Sequence, residues 1–383
     1  MIPHSRPTLD EKDLEAIAKV LRSGHIAQGP KVEGFERAMA SYIGVKGAVA
    51  LSSGTAALHL SLLCLGIKAG DEVIIPAYTC PALLNAVIAT GANPRLADIE
   101  PKTYNMDPDF VEGYLKKRKR AKVKAIIIVH TFGQPADIEA FLDISKKYDI
   151  PIIEDAAQAL GATYRGKRVC SFGHISVLSF YATKVITTGE GGMILSDMED
   201  LLEKARDMRE YDKKDLFKLR YNYKMTDMEA ALGLSQLKRL PAFLKRREEI
   251  ALSYDGSFKG IFKIPSKSEK GGRIHYRYVI ELIPSQLSPI KKNNPPMPPF
   301  AKGGVGGLES EKVDRFIRFM EKNGISCKRP VFRPLHHYTG EKGLTKSQLA
   351  WERSISIPIY PGLTSEEVKK ITGSLMRFKE KAV

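Results

Sequence analysis

The 383-residue sequence predicts an α/β protein, with a mainly parallel central sheet in a large lobe and a smaller α+β lobe at the C-terminal end. Three observations carry this expectation. Short apolar runs rich in Val and Ile recur between helical stripes, the pattern of strands buried on both faces. Glycine, small and charged residues follow several of these runs directly, where ligands of such sheets gather. The length exceeds that of one usual domain, so two lobes are expected, 1–245 and 246–383.

In chain order, Leu14, Ile17, Ala18 and Leu21 form a helix stripe behind Thr8 to Asp10, and Val32, Phe35, Met39 and Tyr42 form a second that ends near Gly44. Strand-like runs follow at 48–51, 72–75, 95–99, 125–129, 150–153, 175–181 and 192–195, most of them separated by helical patterns. Thr226 reads as the N-cap of a helix with its stripe at Ala230, Ala231, Leu234 and Leu237. A long basic helix lies around 242–252, and the small lobe begins with a strand at 276–283. The stretch at about 285–308 is proline-rich and then glycine-rich, and reads as a surface insertion. A helix at about 309–323 and another from Thr364 close the small lobe.

Composition excludes several function classes. No apolar run approaches the ~18 residues of a membrane span, and the start lacks a signal-peptide core, so a cytoplasmic protein is expected. Cys64, Cys80, Cys170 and Cys327 are too scattered for a zinc site or a disulfide framework; no metal is expected. The net charge of +16 concentrates at Lys116 to Lys124, which reads as a solvated helix end. No aromatic residues interleave there to stack bases, so neither nucleic acid nor membrane is expected as a partner.

Three stretches carry chemistry. In Ser179-Phe-Tyr-Ala-Thr-Lys184-Val-Ile-Thr-Thr-Gly189-Glu-Gly-Gly192 one lysine lies between an apolar run and a glycine-rich turn. A lysine amine there suits attack on a carbonyl once its setting favours the neutral form; alone, it is also what a surface lysine looks like. Pro151-Ile-Ile-Glu-Asp155-Ala-Ala-Gln158 ends a strand in a carboxylate, which suits holding a pyridinium proton and equally suits capping a helix. Ser52-Ser53-Gly54-Thr55-Ala-Ala-Leu58 joins a strand to a helix through small residues, an anion site in outline that many α/β sheets share. His130, at the end of another strand, has no partners at metal-ligand spacing and reads as structural or substrate-lining.

Together with Tyr221-Asn222-Tyr223-Lys-Met-Thr226-Asp227 and Pro334-Leu335-His336, these motifs make the chain resemble the DegT/StrS family of pyridoxal phosphate-dependent sugar aminotransferases, of the aspartate aminotransferase-like fold type I. The resemblance implies that Lys184 binds the cofactor and shuttles a proton, that Asp155 partners the pyridine nitrogen, and that Gln158 contacts the ring. It implies that Gly54, Thr55 and Ser179 hold the phosphate together with an Asn222 reaching across a dimer interface, so that a homodimer shares its sites. It also implies a nucleotide-linked keto sugar as acceptor, glutamate or glutamine as donor, and His336 near the site mouth. Two positions depart from the pattern: Cys80 stands where relatives often place a stacking aromatic, and Lys224 where they commonly carry arginine, which changes how a donor carboxylate is held. A keto-cyclitol aminotransferase and a cofactor-binding regulator with little turnover are the alternatives. The dehydratase branch replaces the lysine by histidine, so Lys184 argues against that activity.

Overall fold

The structure, a computed structural model, describes residues 1–117, 122–212, 214–258, 260–264, 270–282 and 308–382. The expected insertion therefore lies outside the described residues up to Leu308, as does part of the basic run. The helices are α1 (Glu11–Ser23), α2 (Pro30–Ile43), α3 (Gly54–Cys64), α4 (Ala82–Ala89), α5 (Pro108–Lys117), α6 (Ile138–Tyr148), α7 (Glu199–Arg209), α8 (Asp227–Phe258), α9 (Leu308–Lys322), α10 (His336–Thr339), α11 (Thr345–Arg353) and α12 (Ser365–Ala382). The large sheet is built from β1 (Gly47–Leu51), β2 (Glu72–Pro76), β3 (Asn93–Ala97), β4 (Val123–Val129), β5 (Ile152–Asp155), β8 (Ile175–Ser179) and β9 (Gly192–Ser196). Strands β6 (Thr163–Tyr164), β7 (Lys167–Arg168) and β10 (Gly271–Gly272) form a three-stranded sheet, and β11 (Tyr278–Glu281) and β12 (Ser354–Ile357) a two-stranded one.

The large sheet runs β1-β9-β8-β5-β4-β2-β3. It is parallel wherever β2, β3, β4, β5 and β8 meet, and antiparallel where β9 pairs with β1 and β8. Helices cover both faces, which is why its central strands are continuous runs of Val, Ile and Ala. Pro94 and Arg95 are tolerated because β3 is the edge strand, where a missing donor faces no neighbour. The expected strand at 175–181 stops at Ser179, and the one at 95–99 is shifted to 93–97. The two-residue strands β6, β7 and β10 were not expected; they are too short to show a period.

The two expected helices at 226–252 are one helix, α8, of 32 residues with Pro241 inside it, so the expected lobe boundary at 245 falls within a continuous element. Thr226 does cap it: Glu229 N donates to Thr226 Oγ1 at 3.2 Å and Thr226 N donates back to Glu229 Oε2 at 2.8 Å, a capping box. The first residue of α8 also serves α2, whose own N-cap is Gly29. Buried Asp227 accepts from Gly29 N at 2.8 Å and Val32 N at 3.0 Å, so a carboxylate from one helix satisfies the N-terminus of another.

The far half of α8 joins the second core, formed around β11, β12, α9 and α12. Buried Arg247 donates from Nη1 to the carbonyls of His275 (3.1 Å), Tyr276 (3.3 Å) and Ile359 (2.9 Å), and so fixes the approach to β11 and the exit from β12 to one helix. Burial brings its guanidinium down to about 10. The amino terminus returns to this lobe through the Ile2–Ile325 bridge. Helix α1 forms as expected, yet its stripe does not face the core: Leu14 is 61% and Leu21 55% exposed, while Asp13 and Val20 are buried.

Candidate active site

A cavity of about 510 Å³ opens at the C-terminal ends of β5 and β8 and the N-terminus of α3. It brings together Gly54, Thr55, Asp155, Gln158, Ser179 and Lys184, all of them singled out by sequence.

The start of α3 is capped by Ser53, in extended conformation, whose Oγ accepts from Ala56 N at 3.1 Å. The helix thus presents its first N–H groups and positive dipole end to the cavity. Gly54 is required by a close approach: a Cβ there would lie 2.8 Å from Ser179 Cβ and 3.2 Å from its Oγ. Gly192, at the start of β9, is held tighter still, since its Cβ would lie 2.2 Å from the Ser53 carbonyl oxygen. Glycine at both places draws the ends of β8, β9 and α3 into one small-residue cradle.

Asp155 is the last residue of β5 and 5% exposed. Its Oδ1 accepts from Ala157 N at 2.9 Å. Burial pushes its carboxyl above the usual value, against the opposing pull of the Ala157 N–H, Lys184 and His130. Its neighbour Glu154 points to the other side of the strand, where it accepts from His130 Nε2 (3.1 Å), Cys170 N (3.0 Å), Phe172 N (2.8 Å) and Gly173 N (2.6 Å). Burial alone would raise Glu154; the His130 interaction and the backbone donors outweigh it and hold the carboxyl low. His130 Nδ1 accepts from Ala136 N at 3.1 Å, which leaves its Nε2 to donate to Glu154. His130 therefore braces the strand that carries Asp155, and no cluster of metal-ligating side chains occurs among the described residues.

Gln158 spends its Oε1 on Phe132 N at 3.0 Å. Lys184 follows β8 in a turn closed by its own N–H to the Tyr181 carbonyl at 2.8 Å, and its Nζ lies 5.2 Å from the centre of the Tyr276 ring. Tyr276 comes from the other lobe and was not foreseen. Burial pushes its phenol up, but Lys184, Arg277, a Thr183 hydrogen bond and Arg247 outweigh this and bring it down to about 8. Arg277, Arg333 and Tyr338 also line the cavity; they occur in stretches whose sequence shows charge but no position relative to the sheet. Cys80 is exposed on the wall.

Three expected site residues do not line this cavity within one chain. Asn222 is exposed on a segment tied to the start of α3, where Ser52 N donates to the Tyr223 carbonyl at 2.8 Å. Lys224 is engaged by Glu210 at 2.7 Å. His336, on α10, contacts Gln348 Oε1 at 3.0 Å, and burial lowers its imidazole.

The chain is similar to known proteins in sequence and in fold. The sequence profile of the DegT/DnrJ/EryC1/StrS aminotransferase family matches residues 7–291. GDP-perosamine synthase of Caulobacter vibrioides is 32% identical, over 96% of this chain and 96% of that protein. The spore coat polysaccharide biosynthesis protein SpsC of Bacillus subtilis is also 32% identical, over 97% and 95%. The solved structure of Helicobacter pylori PseC, an aminotransferase involved in the biosynthesis of pseudoaminic acid, superposes with a TM-score of 0.85 at 27% identity, covering 99% of this chain and 99% of that one. Pyridoxal phosphate, the cofactor of the family, fits the residues present: a cradle that no Cβ can enter beside a helix N-terminus suits its phosphate, and a buried carboxylate across the cavity from a lysine suits its ring. The chain belongs to the DegT/DnrJ/EryC1/StrS aminotransferase family and is a pyridoxal phosphate-dependent aminotransferase of fold type I.

Proposed function

We propose that this enzyme transfers the amino group of glutamate or glutamine to a keto sugar carried on a nucleotide, in amino-sugar and polysaccharide biosynthesis. The observation that carries the reading is the convergence of Asp155, Lys184 and the Gly54–Ser179 cradle on one cavity that also receives the cations Arg277 and Arg333. The names of its relatives support the sugar class, since GDP-perosamine synthase and PseC are named for amino sugars.

Gly54, Thr55 and Ser179 would hold the cofactor phosphate, Asp155 the proton of the pyridine nitrogen, and Gln158 the ring. When bound, pyridoxal phosphate supplies an electron sink that lets the substrate carbon lose or gain a proton. The Lys184 amine would carry that proton to and from the carbon, and its position beside the Tyr276 ring keeps it on the cavity wall. Lys224 and His336 would serve the substrates at the mouth.

A homodimer with shared sites, each completed by Asn222 from the second copy, is part of the proposal. Its support is the exposed apolar surface: Leu14 and Leu21 on α1, and Leu216, Phe217 and Leu219 at 70%, 99% and 71% exposure just ahead of Asn222. No helix among the described residues is long and apolar enough to cross a membrane, and a cytoplasmic location is proposed with the rest.

The test is to incubate the holoenzyme with glutamate or glutamine and a panel of nucleotide-linked keto sugars, sugar-free nucleotides and keto-cyclitols, following release of the 2-oxo acid. Turnover that depends on a nucleotide-linked keto sugar supports the reading. Turnover with keto-cyclitols alone replaces the acceptor class, and no turnover with any acceptor leaves a regulator.

A further inference from the structure

We propose that a second cavity, walled by His4, Arg277 and Lys328 beside the candidate active site, is an oxyanion compartment that takes the diphosphate of the nucleotide-linked substrate. The inference rests on the reading of the acceptor as nucleotide-linked. The cavity measures about 410 Å³ and shares Thr183, Tyr276 and Arg277 with the cavity that holds Asp155 and Lys184.

Its chemistry is that of an anion site. Among the described residues no carboxylate lines it, whereas Arg277 and Lys328 do, with the hydroxyls of Ser5, Ser326 and Ser356 between them. Neither cation has an ion-pair partner among the described residues. Their uncompensated charge reaches His4: burial first, then Arg277 and Lys328, push its imidazole down to about 3, so it stays neutral, with Nε2 2.9 Å from Ser356 Oγ. The backbone of Lys328 is fixed to β12, donating to the Ser356 carbonyl at 3.0 Å and accepting from Ser356 N at 2.7 Å. A guanidinium fork and an ammonium point charge together suit a phosphate chain with more than one negative charge.

The spacing favours a sugar diphosphate over a donor carboxylate. The Lys184 ammonium lies 5.2 Å and the Arg277 guanidinium carbon 5.5 Å from the centre of the one Tyr276 ring. A ligand reacting at Lys184 thus lies beside the same ring that Arg277 approaches, and Arg277 lines both cavities. A 4-keto hexose joined to a diphosphate through C1 carries its carbonyl and its phosphorus at opposite sides of one sugar ring. An amino acid places its α-carboxylate on the reacting carbon itself, and the γ-carboxylate of glutamate carries one negative charge where a diphosphate carries more than one.

Calorimetric titration of the holoenzyme with GDP, UDP and dTDP tests this, beside 2-oxoglutarate. The tightest nucleotide should bind about tenfold more weakly to Lys328→Ala and to Arg277→Ala, the loss expected for one charge-assisted contact. It should bind unchanged to Lys238→Ala, which removes a cation from the distant groove between α1 and α8. If Arg277→Ala fails to fold, the exposed Lys328 position decides. Nucleotide binding unchanged in Lys328→Ala overturns the compartment while leaving a nucleotide-linked acceptor standing. Weakened 2-oxoglutarate binding with unchanged nucleotide binding assigns the cations to the amino donor and overturns it too. Absence of nucleotide binding in the wild type, with turnover of a nucleotide-free keto sugar, removes both readings.

Discussion

Substituting Gly54 by Ala tests whether the phosphate cradle is built on close approach. The new Cβ would meet Ser179 Cβ at 2.8 Å, Oγ at 3.2 Å and Cα at 3.5 Å; the first contact forces a shift, because a Cβ is fixed to the backbone and cannot swing away as the Oγ can. Overpacking of this kind costs about 1–3 kcal/mol. Alanine for glycine in a helix returns at most about 1 kcal/mol. The apoprotein should therefore lose about 1–2 kcal/mol, read as a lower urea midpoint with an unchanged slope. Ser179→Gly removes both offending atoms and leaves the Cα in ordinary contact, while glycine in a strand costs about 0.5–1 kcal/mol. The double variant should accordingly return to within about 1 kcal/mol of wild type, a coupling that independent sites do not show. Pyridoxal phosphate titration separates stability from binding: the double variant lacks the Ser179 hydroxyl, so its cofactor affinity should stay about tenfold or more below wild type. A Gly54→Ala apoprotein as stable as wild type, or a double variant no more stable than the single one, would refute the close approach.

Three further outcomes are expected. Asp155→Asn should lower turnover about a hundredfold or more, yet stabilise the apoprotein at pH 8: burial raises the folded carboxyl, so its stability cost appears as pH rises through that raised value and the advantage of asparagine vanishes in acid. In the apoprotein one tyrosine should titrate near pH 8 by tyrosinate absorbance, vanish in Tyr276→Phe and move up in Lys184→Ala. Because that phenol is depressed, its contribution is full above the ordinary value of 10.0 and is lost as pH falls through about 8, so wild type should gain stability relative to Tyr276→Phe between the two. Mixing Lys184→Ala with Asn222→Ala under subunit exchange should restore about a quarter of wild-type activity, since half of the dimers then hold one intact site of two; a monomer by sedimentation at working concentration defeats the shared-site reading.

What the sequence made legible follows from where information is local. Six strands of the large sheet could be read because they are almost wholly buried, so that composition alone marks Ile126 to Val129 or Met193 to Leu195, whereas the edge strand β3, with Asn93 exposed, is less sharply marked. Gly54, Asp155 and Lys184 could be read because each lies at or just past the end of such a strand or opens the helix that follows one. Helix α1 shows the limit: its period is correct, but nothing in a 3.6-residue repeat says whether the apolar stripe meets this chain's core or something beyond it. The two helices expected over 226–252 are likewise one, because α8 accommodates Pro241 within it. Tyr276 and Arg277 were missed for a different reason. They enter the site from the second lobe, where Arg247 on α8 holds the carbonyl of Tyr276 and helps set its ring beside Lys184.

The site is costly to hold without its cofactor, and the costs share a direction. Asp155 is buried with its carboxyl raised, the Gly54–Ser179 and Gly192–Ser53 approaches give up side chains that would otherwise pack, and Phe132, which donates to Gln158, sits at φ 56°. A pyridinium beside Asp155 would relieve the first of these costs by bringing the opposite charge, and a phosphate at the α3 N-terminus would accept from its first N–H groups. Binding that is favourable to the folded state alone raises stability by mass action. Melting temperature should therefore rise with pyridoxal phosphate concentration, and the rise should shrink in Asp155→Asn, where the uncompensated charge has been removed beforehand. The same reasoning explains why the supporting elements are so heavily bonded: Glu154 and His130 behind Asp155, and Arg247 behind Tyr276, hold still the few groups that the unliganded chain has least reason to keep in place.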